Sequence, residues 1–319
     1  AAGLAKRGVQ ADILAPVDCP ATMIDGAGRA IAIRPLSDAQ DSRYQLLKTC
    51  YHPGIDLVGS FKGPLVCRLV RVVDERCPAR DEPRRRRLLQ WQQKIQQRAA
   101  ALAFNNQQNL ERWQLLYGLG QPAVLTPTGC PETIPALGPD PYGRAKPAAL
   151  FLGSLASGRT VEMLNRTAEA LRGLAQVHLV GLNKSGLYGT PVRLSGRVID
   201  HGPQHGPRMW DFIGWAAFGI ALATGPDAFD NDSSKVYYYL RGGLPVLCEE
   251  PILQRSLIAD LGMGQSFPLD DLAGMLAGAR ILLAQGASNR QEAMVRMAGE
   301  QSWGNRVETY LQLFTSLLS

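Results

Sequence analysis

Residues 229–246 read FDNDSSKVYYYLRGGLPV. A polar stretch ends at Ser233-Ser234, where a helix is expected to begin, and Gly242-Gly243-Leu-Pro leads into a strand of the buried type. Serine is a favourable N-cap, and the open N–H groups of a first helical turn hold anions well. Lys235 adds a full positive charge in that turn, as a pyrophosphate requires. Ser234 and Lys235 are therefore candidate phosphate ligands. An ordinary capped helix with a surface lysine explains the same residues equally.

A second candidate lies upstream, where Phe151-Leu-Gly-Ser-Leu155 closes an expected strand over 149–152. A small-residue turn after the first strand of a Rossmann unit lets the backbone approach a phosphate, and Arg159 can neutralise it. Gly153, Ser154 and Arg159 thus join the set, against the alternative of a tight turn with an exposed arginine. The full G-x-G-x-x-G pattern is absent, which weakens a nicotinamide or flavin reading.

The same alternation of strand and helix runs through all 319 residues and argues for parallel sheets in α/β layers. After 149–152, strands are expected at 177–180, 219–223 and 246–248, and helices at 160–173, 208–216, 235–240, 271–285, 289–299 and 305–318. The first half opens on AAGLAKRG, which reads as mid-helix, so a first strand is expected to be missing. Strands are then expected at 11–14, 31–33, 56–61, 69–74, 101–104 and 123–126, with helices from Pro83 to about 101 and at 107–117. Only 62–68 separate two of those strands, too few for an ordinary helical crossover, so the crossover is abbreviated or one strand is wrong. The Pro- and Gly-rich GPDPYGRAKP at 138–147 reads as an interdomain linker, giving domains of 1–145 and 146–319.

Apolar residues at 45% and charged residues at 19% fit a soluble globular chain. The longest apolar run, 212–225, contains three glycines and falls short of the roughly 20 residues a membrane span needs. Six cysteines without a C-x-x-C pair match no zinc or disulfide framework, and a reducing cytoplasm is expected. Residues 1–147 hold 20 Lys/Arg against 13 Asp/Glu, and residues 148–319 hold 14 against 15. A basic half can face lipid head groups, nucleic acid or a phosphorylated substrate. Without interleaved aromatics, nucleic acid is not expected. The helix PRRRRLLQWQQKIQQRAAALAF could lie on anionic lipid or pack on its own sheet, and packing is favoured. No two of the four histidines have metal-ligand spacing on a helix, and no metal is expected.

FLGSL, VHLVG, IALATGPDAFDNDSSKVYYYLRGGLPVL and the closing SWGNRVETYLQLF resemble the C-terminal domain of GT-B glycosyltransferases of the family-4-like kind. LAKRGVQADIL, AALAFNNQQNLERWQLLYGL and AVLTPTGCP resemble their N-terminal domain and hinge. Residues 198–238 are similar to the xanthan glucuronosyltransferase type. The resemblance implies two Rossmann-like domains facing across a cleft, with the last helix, about 304–319, crossing back to the first. It implies a nucleoside-diphosphate sugar such as a UDP-sugar as donor, no further cofactor, and a glycan or lipid-linked glycan as acceptor. Cell-envelope or exopolysaccharide synthesis, in the cytoplasm or peripherally at the inner membrane face, would be the setting.

By that resemblance, Lys235 and Arg159 contact the diphosphate, Gly153-Ser154 forms the loop under it, and Tyr238 lies near the nucleoside. The relatives' Glu-x7-Glu pair reads here as Asp230 and Tyr238, so the second carboxylate is missing. Asp74 ends LVRVVD, where strand-end side chains enter the ligand crevice, and could take the acceptor's proton. The relatives place an Asp after a similar Arg-x-x-Asp, matching Arg71 and Asp74. The alternative is that Asp74 caps a turn or pairs with Arg76. A single strand-end Asp favours inversion, and His205 in GPQHG is the second catalytic candidate. An epimerase on the same fold and a catalytically degenerate sugar-nucleotide-binding partner stay open.

Overall fold

A computed structural model describes residues 2–15, 22–24, 30–40, 43–74, 82–143, 146–155, 157–187, 191–226, 231–285 and 288–319. The chain forms two compact units, Ala1–Pro127 with Trp303–Ser319, and Thr128–Ser302. The expected boundary at 145/146 falls inside the second unit. The described part of its Pro- and Gly-rich segment is held by side-chain hydrogen bonds. Gly138 N–H donates to Asp211 at 2.7 Å, the Trp215 indole donates to the Gly138 carbonyl at 2.8 Å, and the Tyr142 hydroxyl donates to the Phe212 carbonyl at 2.6 Å. Just upstream, the buried Arg241 donates to the carbonyls of Pro131 and Glu132.

The first unit begins with α1 (Ala2–Ala5), β1 (Ile13–Ala15), β2 (Thr22–Ile24) and β3 (Ala30–Pro35). Here β1 runs parallel and β2 antiparallel to β3. There follow β4 (Leu47–Cys50), α2 (Gly54–Leu57), β5 (Leu65–Leu69), α3 (Glu82–Arg98), β6 (Ala101–Phe104), α4 (Gln107–Tyr117) and β7 (Ala123–Leu125). Strands β4 to β7 form a parallel sheet in chain order. The strand expected at 56–61 is instead the short helix α2 and its turn: Ile55, Val58 and Phe61 are buried, a spacing of three that suits helical turns, not a strand. That turn is the abbreviated crossover between β4, which the sequence reading missed, and β5. The strand expected at 69–74 ends at Leu69, so Arg71 to Asp74 leave the sheet beyond its carboxyl end.

In the second unit β8 (Ala148–Leu152), α5 (Gly158–Ala170), β9 (Gln176–Val180), β10 (Val198–Asp200), α6 (Pro207–Trp215) and β11 (Phe218–Ala221) come first. Then follow α7 (Ser234–Arg241), β12 (Val246–Glu249), α8 (Arg255–Asp260), β13 (Gly264–Phe267), α9 (Leu272–Gln285) and α10 (Arg290–Glu300). The sheet is parallel throughout, in the order β10-β9-β8-β11-β12-β13, so the chain reverses direction across the sheet between β8 and β11. Leu150 and Leu152 enter one core layer while Ala149 and Phe151 enter the other. Burial on both faces is why the four central strands, β8, β9, β11 and β12, read as near-continuous apolar runs. The last helix, α11 (Trp303–Leu318), belongs to the first unit, where Leu313, Tyr310 and Phe314 pack with Val66, Ala101 and Val124. Among the described residues no helix is long and apolar enough to cross a membrane.

Candidate functional site

Ligands of open α/β sheets bind beyond the carboxyl ends of the strands where strand order reverses. In the second unit that place is the turn after β8. Gly153 sits there with φ +101°, a conformation that favours glycine, and its N–H donates to the Val180 carbonyl at 2.8 Å. Gly181 lies so close that a Cβ on it would stand 1.9 Å from the Gly153 carbonyl oxygen. The two glycines together let the turn approach the end of β9 closely. Ser154 beside it is exposed.

Lys235 reaches this turn from the first turn of α7. A Cβ on Gly153 would stand 3.8 Å from its Cε, and its Nζ lies 4.5 Å from the centroid of the Phe151 ring. Desolvation lowers its ammonium pKa to about 8. Among the described residues no carboxylate pairs with it, while Asp230 lies outside them. Next to it, the Ser233 Oγ is buried without a hydrogen-bond partner, and Ser234 is exposed. A desolvated cation and an orphaned hydroxyl at a helix N-terminus suit an anion. Tyr238 is half-buried, its ring 5.6 Å from that of Trp210.

Arg159 has a different environment. Its guanidinium donates to the Ala223 carbonyl at 2.6 Å, to Glu249 Oε2 at 3.0 Å and to Asp270 Oδ1 at 2.9 Å, and it also bonds Glu249 Oε1. Glu249 is fully buried and also accepts from the N–H groups of Ala223 and Asp270 at 2.7 and 3.2 Å. The arginine is thus committed to a buried carboxylate, a residue the sequence reading passed over. An acid ending the apolar strand VLCE was its one visible signal.

In the first unit Asp74 is buried, with Arg112 Nε 4.0 Å from its Oδ2. Side chains hold the segment that carries it: Val72 N–H donates to Asn109 Oδ1 at 2.8 Å, and Val73 N–H donates to Gln92 Oε1 at 2.8 Å. Arg76 lies outside the described residues. His52, after β4, is buried beside Gln92, and burial lowers its pKa to about 4. His205 is exposed on the loop before α6 in the second unit. His178 and His201 hydrogen-bond each other at 2.9 Å against the Tyr142 ring, a packed pair. Among the described residues no group of three or more His, Cys, Asp or Glu could hold a metal ion.

No family model and no curated protein sequence matches the chain. Solved structures do match, over nearly its whole length. The sucrose-phosphate synthase of Thermosynechococcus elongatus superposes with a TM-score of 0.72 at 15% identity, covering 99% of this chain and 90% of that one. The HepE protein of Anabaena, solved with UDP-glucose, gives 0.70 at 12% identity over 90% of this chain and 86% of its own. WaaG, a glycosyltransferase involved in lipopolysaccharide biosynthesis, gives 0.63 at 14% over 97% and 92%. The chain has the GT-B fold. Within that fold, the Gly153 turn and Lys235 stand at the strand-order reversal of the second Rossmann-like unit, and Asp74 stands past the strand ends of the first.

Proposed function

We propose that this GT-B chain is a glycosyltransferase that binds a nucleoside-diphosphate sugar on its second unit and transfers the sugar to a hydroxyl of a glycan or lipid-linked glycan. Lys235 carries the reading: a desolvated ammonium beside the Gly153 turn, with no described carboxylate to balance it. A diphosphate supplies that counter-charge and accepts from the first N–H groups of α7. HepE was solved with UDP-glucose, which makes a UDP-sugar the first donor to test. In the reaction, the Asp74 carboxylate takes the acceptor hydroxyl's proton as its oxygen attacks the anomeric carbon. The bond to the diphosphate breaks, and Lys235 and the helix N–H groups meet the charge on the leaving group. One displacement inverts the anomeric centre. No metal or cofactor enters this scheme. The basic first half suits an anionic, membrane-associated acceptor in cell-envelope or exopolysaccharide synthesis, met at the cytoplasmic membrane face.

The test is a screen of UDP-, GDP- and ADP-sugars for nucleoside diphosphate release, with and without lipid-extract acceptors and with and without EDTA. Acceptor-dependent release that persists in EDTA is expected. Loss in EDTA with recovery in Mn²⁺ would overturn metal independence. A second reading, a binding partner that does not transfer, is favoured by two observations. Tyr238 packs on Trp210 at the position where the sequence resemblance would put a second carboxylate, and Arg159 is engaged by Glu249. Donor binding without turnover on any acceptor would select it.

A further inference from the structure

The ladder between β8 and β11 is short for the middle of a sheet. Strand β8 registers with β9 at five positions and β11 with β12 at three, yet β8 and β11 meet only at Ala149–Phe218 and Leu150–Gly219. Past that point a side chain occupies the seam. The Tyr239 hydroxyl accepts from Leu152 N–H at 2.7 Å, and its single proton is shared between the carbonyls of Leu150 at 3.0 Å and Ile220 at 3.3 Å. Backbone groups that neighbouring parallel strands exchange directly are here satisfied through a phenol. Burial drives the phenol's pKa well above its ordinary value, so it keeps that proton. Gly219 makes the room, since a Cβ there would stand 2.5 Å from the Tyr239 ring.

We infer that Tyr239 is a positioning residue for the donor: its hydroxyl holds β8 and β11 apart at the strand-order reversal and fixes Leu152, so that the Gly153 turn lies open beside Lys235. The role rests on the donor reading proposed above. Tyr239 touches no ligand itself. It acts because Leu152 directly precedes Gly153. Without the hydroxyl, Leu152 N–H loses its acceptor in a buried setting and is drawn to the Ile220 carbonyl, which zips the seam by a further step and moves the turn.

The test uses the full chain, titrated calorimetrically with UDP, GDP and ADP in turn. Tyr239→Phe keeps the ring and removes the hydroxyl, and Kd for the preferred nucleotide is expected to rise about five- to tenfold, the loss that goes with one hydrogen bond. Met275→Ala, in the core layer on the other face of the sheet, serves as the control for lowered stability alone and is expected to leave Kd unchanged. Equal Kd values for Tyr239→Phe and the parent, or the same weakening in Met275→Ala, would overturn the role while leaving the donor reading intact. A parent that binds none of the three nucleotides removes the donor reading and the role with it. A measurement on the parent alone covers a Tyr239→Phe that fails to fold: amide hydrogen exchange at 152–154 is expected to slow when the nucleotide binds. Unchanged exchange there, with binding established, overturns the proposal.

Discussion

Lys235 and Arg159 are both cations at the carboxyl ends of one parallel sheet, and their surroundings differ. Arg159 donates into a buried carboxylate, whereas Lys235 faces an aromatic ring and a glycine turn. Lys235→Ala should therefore weaken UDP binding by about 1.5–3 kcal/mol, the range of a charge-assisted hydrogen bond, in calorimetric titration. Its pKa of about 8 adds a pH dependence. A diphosphate requires the ammonium, so affinity should hold below pH 8 and fall as pH rises through it; Lys235→Arg should flatten the profile. For folding, the sign is the reverse of a stabilising pair. Between about 8 and the ordinary 10.5 the unfolded chain binds the extra proton, so the cost of burying Lys235 is full below 8 and relieved on the way to 10.5. Apo Lys235→Met should accordingly gain more stability at pH 7 than at pH 10.5. Asp74→Asn tests the proton acceptor: transfer should drop by on the order of 10²–10⁴ while UDP affinity survives. Transfer within about threefold of the parent would direct attention to His205.

At the scale of elements, Arg159 ties the first turn of α5 to the chain just beyond β11, through Ala223, and to the end of β12, through Glu249. Asp270, before α9, joins the same knot in a left-handed conformation with φ +63°. Arg159→Ala leaves Glu249 charged and buried, which should cost about 3–5 kcal/mol in denaturant unfolding of the second unit. Adding Glu249→Gln should recover a large part of that loss, because the uncompensated charge is the expensive element. A variant as stable as the parent that no longer binds UDP would return Arg159 to the phosphate site, where the sequence motif had put it. Helix α4 shows how local chemistry does suffice: Asn106 accepts from Asn109 N–H at 2.9 Å and Gly118 ends it at φ +73°, and both limits were readable. At 56–61 the letters DLVGSF look like a strand because isolated apolar residues carry no period over so short a stretch. Packing chose the helical turn.

For the whole molecule, the chain passes twice between its two units, and its last helix completes the unit in which the chain began. Leu313→Ala in α11 removes a buried side chain from the contact with Val66, Ala101 and Val124. It should lower the stability of the first unit by about 2–5 kcal/mol and leave the second unit's transition unmoved in scanning calorimetry. A shift of both transitions together would mean that the two units unfold as one. Sequence alone determined the α/β alternation, the four central strands of the second unit, the glycine turn after β8 and the start of the lysine-bearing helix α7, and thereby the kind of fold. Those features are local: strands covered on both faces must be apolar throughout, and a turn or cap is set by a few adjacent residues. Tertiary structure decided what the local letters left open. Arg159 and Glu249 are 90 residues apart, Tyr239 and Leu152 are 87 apart, and Thr126 meets Tyr310 across 184. A charge's partner, a phenol's place in a strand seam and the unit to which a helix belongs depend on which distant segments become neighbours, and no window of sequence contains both members of such a pair.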